Sequence, residues 1–326
     1  MSKPKVAFYW CASCGGCEEA VVDLAEGILP VVEAVDIVFW PVAMDFKRSD
    51  VEAMADGEIT VGFVNGAIRT SEQVEMAELM RRKSQILIAF GACAHLGGIP
   101  GLANFNERND ILERVYQEVP TIVNPDKTRP QEETAVNGEE PLTLPAFYDT
   151  VRTLDQVVDV DYYLPGCAPP VNLIVNAVTA ILEGKLPPKG TVLAPDKALC
   201  DECPRKESKP VEFTIEEFKR PHEIIIDPEE CLLAQGLLCM GPATRSGCDA
   251  ACIEGNMPCT GCLGPTSRVQ DQGAKALSAI ASSLGAKDEE EIIRLMESIV
   301  DPGGTFYRYG LPASLLHHSL KARGES

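Results

Sequence analysis

Val6-Ala-Phe-Tyr-Trp10-Cys11-Ala-Ser-Cys14-Gly-Gly-Cys17-Glu-Glu-Ala20 is the stretch on which the fold turns. Its opening residues, Val6 to Trp10, are an apolar run of strand type. Beyond the cysteines, Val21, Leu24, Ala25 and Ile28 recur at i, i+3, i+4 and i+7, the period of one helix face. Three cysteines at CxxCxxC spacing therefore sit on a strand-to-helix turn. The same unit repeats through the first half of the chain. Strand-type runs at 5–9, 35–40, 59–65, 85–90 and 160–164 alternate with helical patterns at 18–29, 71–83, 107–117 and 170–183. This alternation predicts βαβ units on a parallel sheet, the doubly wound α/β class.

With 326 residues, 45% of them apolar, the chain has enough material for one large or two ordinary domains with well-filled cores. Composition changes after Pro187-Pro188-Lys189-Gly190, which sets the expected boundary: an α/β domain over 1–190 and a smaller, mostly irregular or helical one over 191–326. The second part carries helical patterns at 267–284 and 288–300. An aromatic and apolar tail follows (Phe306, Tyr307, Tyr309, Leu311, Leu315, Leu316), suited to docking on the chain's own core or on a partner. Residues 120–145 are rich in proline and lack a period, so they read as a surface insertion.

A formal net charge of −20 repels both a phosphate backbone and an anionic membrane surface, which argues against nucleic acid and lipid as partners. No apolar run reaches membrane-spanning length and no export leader is evident, so the thirteen cysteines are expected as reduced thiols in the cytoplasm. Reduced thiols in close pairs commonly hold metal.

In an open α/β sheet, ligands bind beyond the carboxyl ends of the strands, where loops distant in sequence meet. Three such loops carry cysteine: Cys11, Cys14 and Cys17 after the first strand, Cys93 after the fourth, and Cys167 after the fifth. Four of these five thiolates would complete one [4Fe-4S] site. Zinc also takes four thiolates, and either Cys93 or Cys167 alone reads as a small core residue. Eight more cysteines, Cys200, Cys203, Cys231, Cys239, Cys248, Cys252, Cys259 and Cys262, make two further sets of four. Two CxxC pairs with four single cysteines between them favour clusters over zinc ribbons, which need two pairs per metal.

On these motifs the chain resembles, over nearly its whole length, the small subunit of [NiFe] hydrogenases. Cys14-Gly-Gly-Cys17-Glu-Glu, Gly91-Ala-Cys93, Pro165-Gly-Cys167, Cys200-x-x-Cys203, Cys239-Met-Gly-Pro242 and Pro258-Cys-Thr-Gly-Cys262 stand in that family's order. The resemblance implies a flavodoxin-like first domain with a proximal cluster on Cys14, Cys17, Cys93 and Cys167. It implies a distal cluster on Cys200, Cys203, Cys231 and Cys239, and a medial one on Cys248, Cys252, Cys259 and Cys262. Many respiratory members carry histidine at the position of Cys200 and proline at that of Cys252. Thiolates there imply three [4Fe-4S] clusters of lowered potential.

The runs Cys239-Met-Gly-Pro-Ala-Thr244 and Val269-Gln-Asp-Gln-Gly-Ala-Lys275 are most similar to the gamma subunit of cytoplasmic methyl-viologen-reducing hydrogenases. Those enzymes feed heterodisulfide reductase through a delta subunit. The nickel–iron site of this family lies on a separate large subunit, so the chain is expected to conduct electrons rather than activate H2. The rival readings are the related cluster subunit of NADH dehydrogenase complexes, which lacks the eight-cysteine extension, and a zinc-stabilised structural protein. Cys11 is the expected spare thiol. Glu18 fits a helix N-terminus or a proton relay, Asp45 a solvated turn or a loop-orienting group, and His95 a polar loop residue or a donor to a cluster sulfide.

Overall fold

The computed structural model describes residues 3–136, 140–211, 213–286 and 288–317. Its strands are β1 (Lys5–Trp10), β2 (Asp36–Phe39), β3 (Ile59–Asn65), β4 (Ile68–Thr70), β5 (Ser84–Phe90), β6 (Glu133–Thr134), β7 (Leu142–Thr143), β8 (Phe147–Arg152), β9 (Tyr162–Leu164) and β10 (Thr191–Val192). Among the described residues six of these form one sheet in the order β10-β9-β5-β3-β1-β2, with every pairing parallel. Counting the sheet strands alone, this is the flavodoxin-like 2-1-3-4-5 order with a sixth strand added beside the fifth. The order reverses between β1 and β3, and the crevice opens there.

Helices cover both faces, which is why the central strands read as continuous apolar runs. Successive side chains along a strand point to opposite faces. Val6, Phe8, Phe63 and Phe90 accordingly pack with α1 (Gly16–Val22) and, beyond the intervening helices, with the later helix Val171–Leu182. Ala7, Val64, Leu87 and Ala89 pack on the other side against Met76, Ala77 and Met80. On the first face Phe8 stacks on Phe63 with ring centroids 4.9 Å apart.

The helix expected over 18–29 is broken. Helix α1 stops at Val22, Ala25 turns left-handed at φ 50°, and α2 (Ile28–Ala34) starts afresh. Pro30 explains the restart: it falls in the first turn of α2, where a missing N–H leaves no bond unmade. After α3 (Arg48–Glu52), α4 (Ser71–Lys83) has the expected bounds. Thr70 and Gln73 close a capping box, with Gln73 N–H donating to Thr70 Oγ1 at 3.3 Å, and Arg81, Arg82 and Lys83 complement the helix C-terminus.

Helix α5 (Gly91–Leu96) follows β5 without a loop. Then come α6 (Arg108–Glu113), which passes into a π-helical turn over Arg114–Glu118, and α7 (Val171–Leu182). The 120–145 insertion is mostly exposed and contains the two-residue pairing of β6 with β7; positions 137–139 lie outside the described residues.

Past β10 the chain is mainly turns, with α8 (Ala251–Glu254), α9 (Gln272–Ala281), α10 (Glu289–Glu297) and α11 (Pro302–Phe306). Leu199, Leu233, Leu237, Ile253, Ala276, Ile280 and Leu295 form a third core there. The aromatic tail docks on the chain itself. Phe306 and Leu311 are buried, Gly98 N–H donates to Tyr309 O at 2.9 Å, and Gln156 Nε2 donates to Pro312 O at 2.9 Å.

Candidate metal centres

Cys14 and Cys17 leave the carboxyl end of β1, Cys93 lies in the first turn of α5 after β5, and Cys167 follows β9. Backbone bonds draw these segments together. Ala12 and Ala67 exchange two hydrogen bonds of 2.9 Å, pinning the first loop to the end of β3, and Ala92 N–H donates to Gly166 O at 2.7 Å. Gly91 has φ +85°, and a Cβ on it would collide with Cys17 Sγ. Glycine is what lets the start of α5 lie against that thiol.

The result is one group of four thiols. Burial pushes Cys17 up, with the charges of Cys93, Cys167 and Cys14 adding to it. Burial pushes Cys93 up to about 12, aided by Cys167 and Cys14 and opposed by the Ile99 N–H and Ser13 hydroxyl that face its sulfur. Cys167 is raised by burial and then by Cys14. Cys11 stands apart, buried in the core on the opposite face of the sheet with Val64 and Met80. Its thiol is raised by burial and by Glu72.

Cys200, Cys203, Cys231 and Cys239 line one small apolar cavity with Leu199, Leu232, Leu233 and Ile253. Burial raises Cys200 to about 12, with Cys239, Cys203 and Cys231 adding and Lys209 opposing. Cys248, Cys252, Cys259 and Cys262 form the third group. Cys248 is raised by burial, opposed by the N–H groups of Ala251 and Ala250 that face its sulfur, with Glu202 and then Cys252 adding. Cys262 rises to about 11 through burial, with Cys248, Cys252 and Cys167 adding and the N–H of Cys167 opposing. Cys259 is pushed well up by burial and then by Cys239, with Cys262 adding. Cys262 thus adjoins the first group and Cys259 the second, so the Cys248 group stands between the other two.

Among the described residues no three His, Cys, Asp or Glu side chains close to the spacing of a single-ion site. A lone tetrahedral ion with Zn–S bonds of about 2.3 Å needs sulfurs roughly 3.8 Å apart. Thiols give up their protons to a cation they bind, so loading these groups releases acid.

Glu18 stands in the first turn of α1 and is buried there, 4% exposed. Its Oε1 accepts from Asn65 Nδ2 at 2.9 Å, the Trp40 indole faces it, and burial raises its carboxyl above the usual range. Asn65 was not singled out in the sequence; a polar residue closing an apolar strand at the switch point was the available signal. Glu202 was also missed. Its carboxylate accepts the N–H groups of Gly247 (2.9 and 3.0 Å) and Cys248 (3.2 Å), which orients the Cys248 loop. His95 lies in α5 with its ring 4.7 Å from that of Tyr163. Burial lowers its pKa to about 3, with Arg245 adding, so the imidazole is neutral. Asp45 is exposed on the turn after β2.

The family model described as "NADH ubiquinone oxidoreductase, 20 Kd subunit" matches residues 14–181. The iron-sulfur subunit of the F420-non-reducing hydrogenase of Archaeoglobus profundus is 42% identical over 320 residues, covering 97% of this chain and 98% of the relative. The chain belongs to the small-subunit family of [NiFe] hydrogenases. A second relative, a subunit of the F420-non-reducing hydrogenase of Methanothermobacter thermautotrophicus, is 38% identical over 330 residues and covers 99% of each chain. These hydrogenase subunits extend across the eight-cysteine segment, which the family model, ending at residue 181, leaves out. The [NiFeSe] hydrogenase of Desulfovibrio vulgaris Hildenborough shares the fold, with TM-score 0.50 at 17% identity over 81% of this chain and 94% of that one.

As a hydrogenase small subunit the chain is an electron-transfer part of an oxidoreductase acting on H2. Membership implies iron–sulfur clusters here and a nickel–iron centre on a partner large subunit. No helix among the described residues is long and apolar enough to cross a membrane.

Proposed function

We propose that this chain is the small subunit of a cytoplasmic hydrogenase that carries electrons from H2 oxidation on the large subunit through three [4Fe-4S] clusters. The receiver is a carrier of the delta-subunit type that serves heterodisulfide reductase. Residues 1–190 form the domain holding the proximal cluster on Cys14, Cys17, Cys93 and Cys167. Residues 191–326 hold the medial cluster on Cys248, Cys252, Cys259 and Cys262 and the distal one on Cys200, Cys203, Cys231 and Cys239. What supports this reading above all is that twelve of thirteen cysteines fall into three groups of four in a row, with Cys11 left in the core.

Each cluster, when bound, supplies a one-electron couple. The protein's part is to hold and tune it. Apolar walls such as Leu199, Leu232 and Leu233 keep water from the distal cavity, and backbone N–H groups of Ile99, Ala250, Ala251 and Cys167 point at ligand sulfurs. Such donors stabilise negative charge on sulfur and raise the potential, while the all-thiolate ligand sets lower it. Thiols bind metal with proton release, which ties cluster loading to pH.

Anaerobic purification with the large subunit, followed by iron, sulfide, zinc and nickel analysis, tests the proposal. About 12 iron per chain is expected from three four-iron clusters, with nickel on the large subunit alone. Stoichiometric zinc without iron, or nickel tightly bound to this chain by itself, refutes it.

A further inference from the structure

The C-terminal tail crosses the junction between the first and third cysteine groups. Tyr309 accepts the N–H of Gly98 through its backbone oxygen at 2.9 Å, five residues beyond Cys93. Its phenol oxygen lies 3.2 Å from Thr260 Oγ1, inside the Cys259–Cys262 pair. Thr260 thus places the phenol at the loop between Cys259 and Cys262, and burial raises the phenol, with the charges of Cys262 and Cys167 adding. The ring is half-buried, so its hydroxyl is partly shielded from water.

The tail around Tyr309 is held on both halves of the molecule. Pro312 seats against Gly97, where a Cβ would collide with the proline ring, and its carbonyl accepts from Gln156 Nε2 at 2.9 Å. Leu315 N–H donates to Asp271 Oδ2 at 3.1 Å, and His317 O accepts from Asn104 Nδ2 at 3.1 Å. A tail so fixed holds the phenol beside Thr260.

We propose that Tyr309 is a positioning residue whose hydroxyl, paired with Thr260, raises the electron affinity of the clusters at the Cys167–Cys262 junction. The inference rests on the reading of Cys167 and Cys262 as proximal and medial ligands. A hydroxyl pair in the loop between two ligand cysteines, with its hydrogen turned toward the cluster, stabilises the extra negative charge of the reduced cluster, as hydrogen bonds to sulfur do. Phenylalanine keeps the ring and the docked tail and removes only the phenol hydroxyl.

The test is redox-poised EPR on the complex with its large subunit. At the potential where one junction cluster of the wild type is half reduced, Tyr309→Phe is expected to lower its reduced-to-oxidised ratio roughly threefold. That is about 28 mV at 59 mV per tenfold for one electron. Iron content and melting temperature are expected to stay at wild-type values. An unchanged ratio for both junction clusters overturns the proposal. Should Tyr309→Phe purify short of iron, Thr260→Val is read in its place, and no shift there overturns it equally. Wild-type complex without iron refutes the ligand reading first, and this inference falls with it; a wild type with normal iron and an unshifted variant refutes the role of Tyr309 alone.

Discussion

The backbone N–H of Cys167 faces the sulfur of Cys262 and holds its thiol down against burial, so the loop after β9 and the last CxxC pair meet at one point. Cys262 is thereby the contact between two groups of thiols while belonging to only one. Cys262→Ser is expected to remove the medial cluster, about four iron per chain, and leave the proximal EPR signal in place. Electron delivery from H2 to an external dye should fall at least tenfold, because the variant lacks the middle relay. Retention of all iron would place the medial site elsewhere.

Cys11 and Cys17 are six residues apart and face different surroundings: Cys11 lies in the core beside Val64 and Met80, Cys17 among three other thiols. Cys11→Ser should retain all iron and lower stability by roughly 1–3 kcal/mol, the cost of a hydroxyl without a partner in an apolar site. Cys14→Ser and Cys17→Ser should lose the proximal signal. EPR with thermal denaturation separates the two effects.

For the cluster-free chain the thiol shifts set a pH dependence. Cys93 and Cys200 rise from 9.0 to about 12 and Cys262 to about 11. Below pH 9 both folded and unfolded chains keep these thiols protonated, so their contribution to stability is fully present. Above it the unfolded chain ionises first, and stability falls as pH climbs toward the folded values. Urea titrations of chelator-stripped protein at pH 8 and pH 10 should show a lower midpoint at pH 10. Iron loading, which needs thiolates, should run faster at pH 8.5 than at pH 6.5.

Glu18 is buried with a raised carboxyl, the sign of a carboxylate held in a poor solvent. A raised folded pKa means its contribution to stability is fully present below the unfolded value and is lost as pH rises through the folded one. Glu18→Gln keeps an oxygen for Asn65 and removes the charge, so it should stabilise the protein by about 1 kcal/mol at pH 8 and by less at pH 5. Denaturation midpoints at the two pH values check this; an equal gain at both would mean that charge burial is not the cause.

How much of this was legible beforehand depends on the range of the interaction. The βαβ alternation, the bounds of α4 and the helix over 171–182 follow from local periods and from the Thr70–Gln73 capping box, which a sequence displays directly. The break after α1 was hidden because the apolar spacing of Val21, Leu24, Ala25 and Ile28 continues through it, while Pro30 starts a second helix.

By itself the sequence determined the class of fold, the cysteine-bearing loops at the carboxyl edge of the sheet, and the family motifs, since all three are written in neighbours or fixed spacings. Which thiols face one another was decided only by the tertiary structure. Strand order brings the loops after β1, β5 and β9 together, and the opposite face of the sheet takes Cys11 away. The pairing of Glu18 with Asn65, the hold of Glu202 on the Cys248 loop and the return of Tyr309 to the Cys167–Cys262 junction span 47, 46 and 49 residues to their hydrogen-bond partners. No local pattern encodes such contacts, because they exist only once the cores between them have packed.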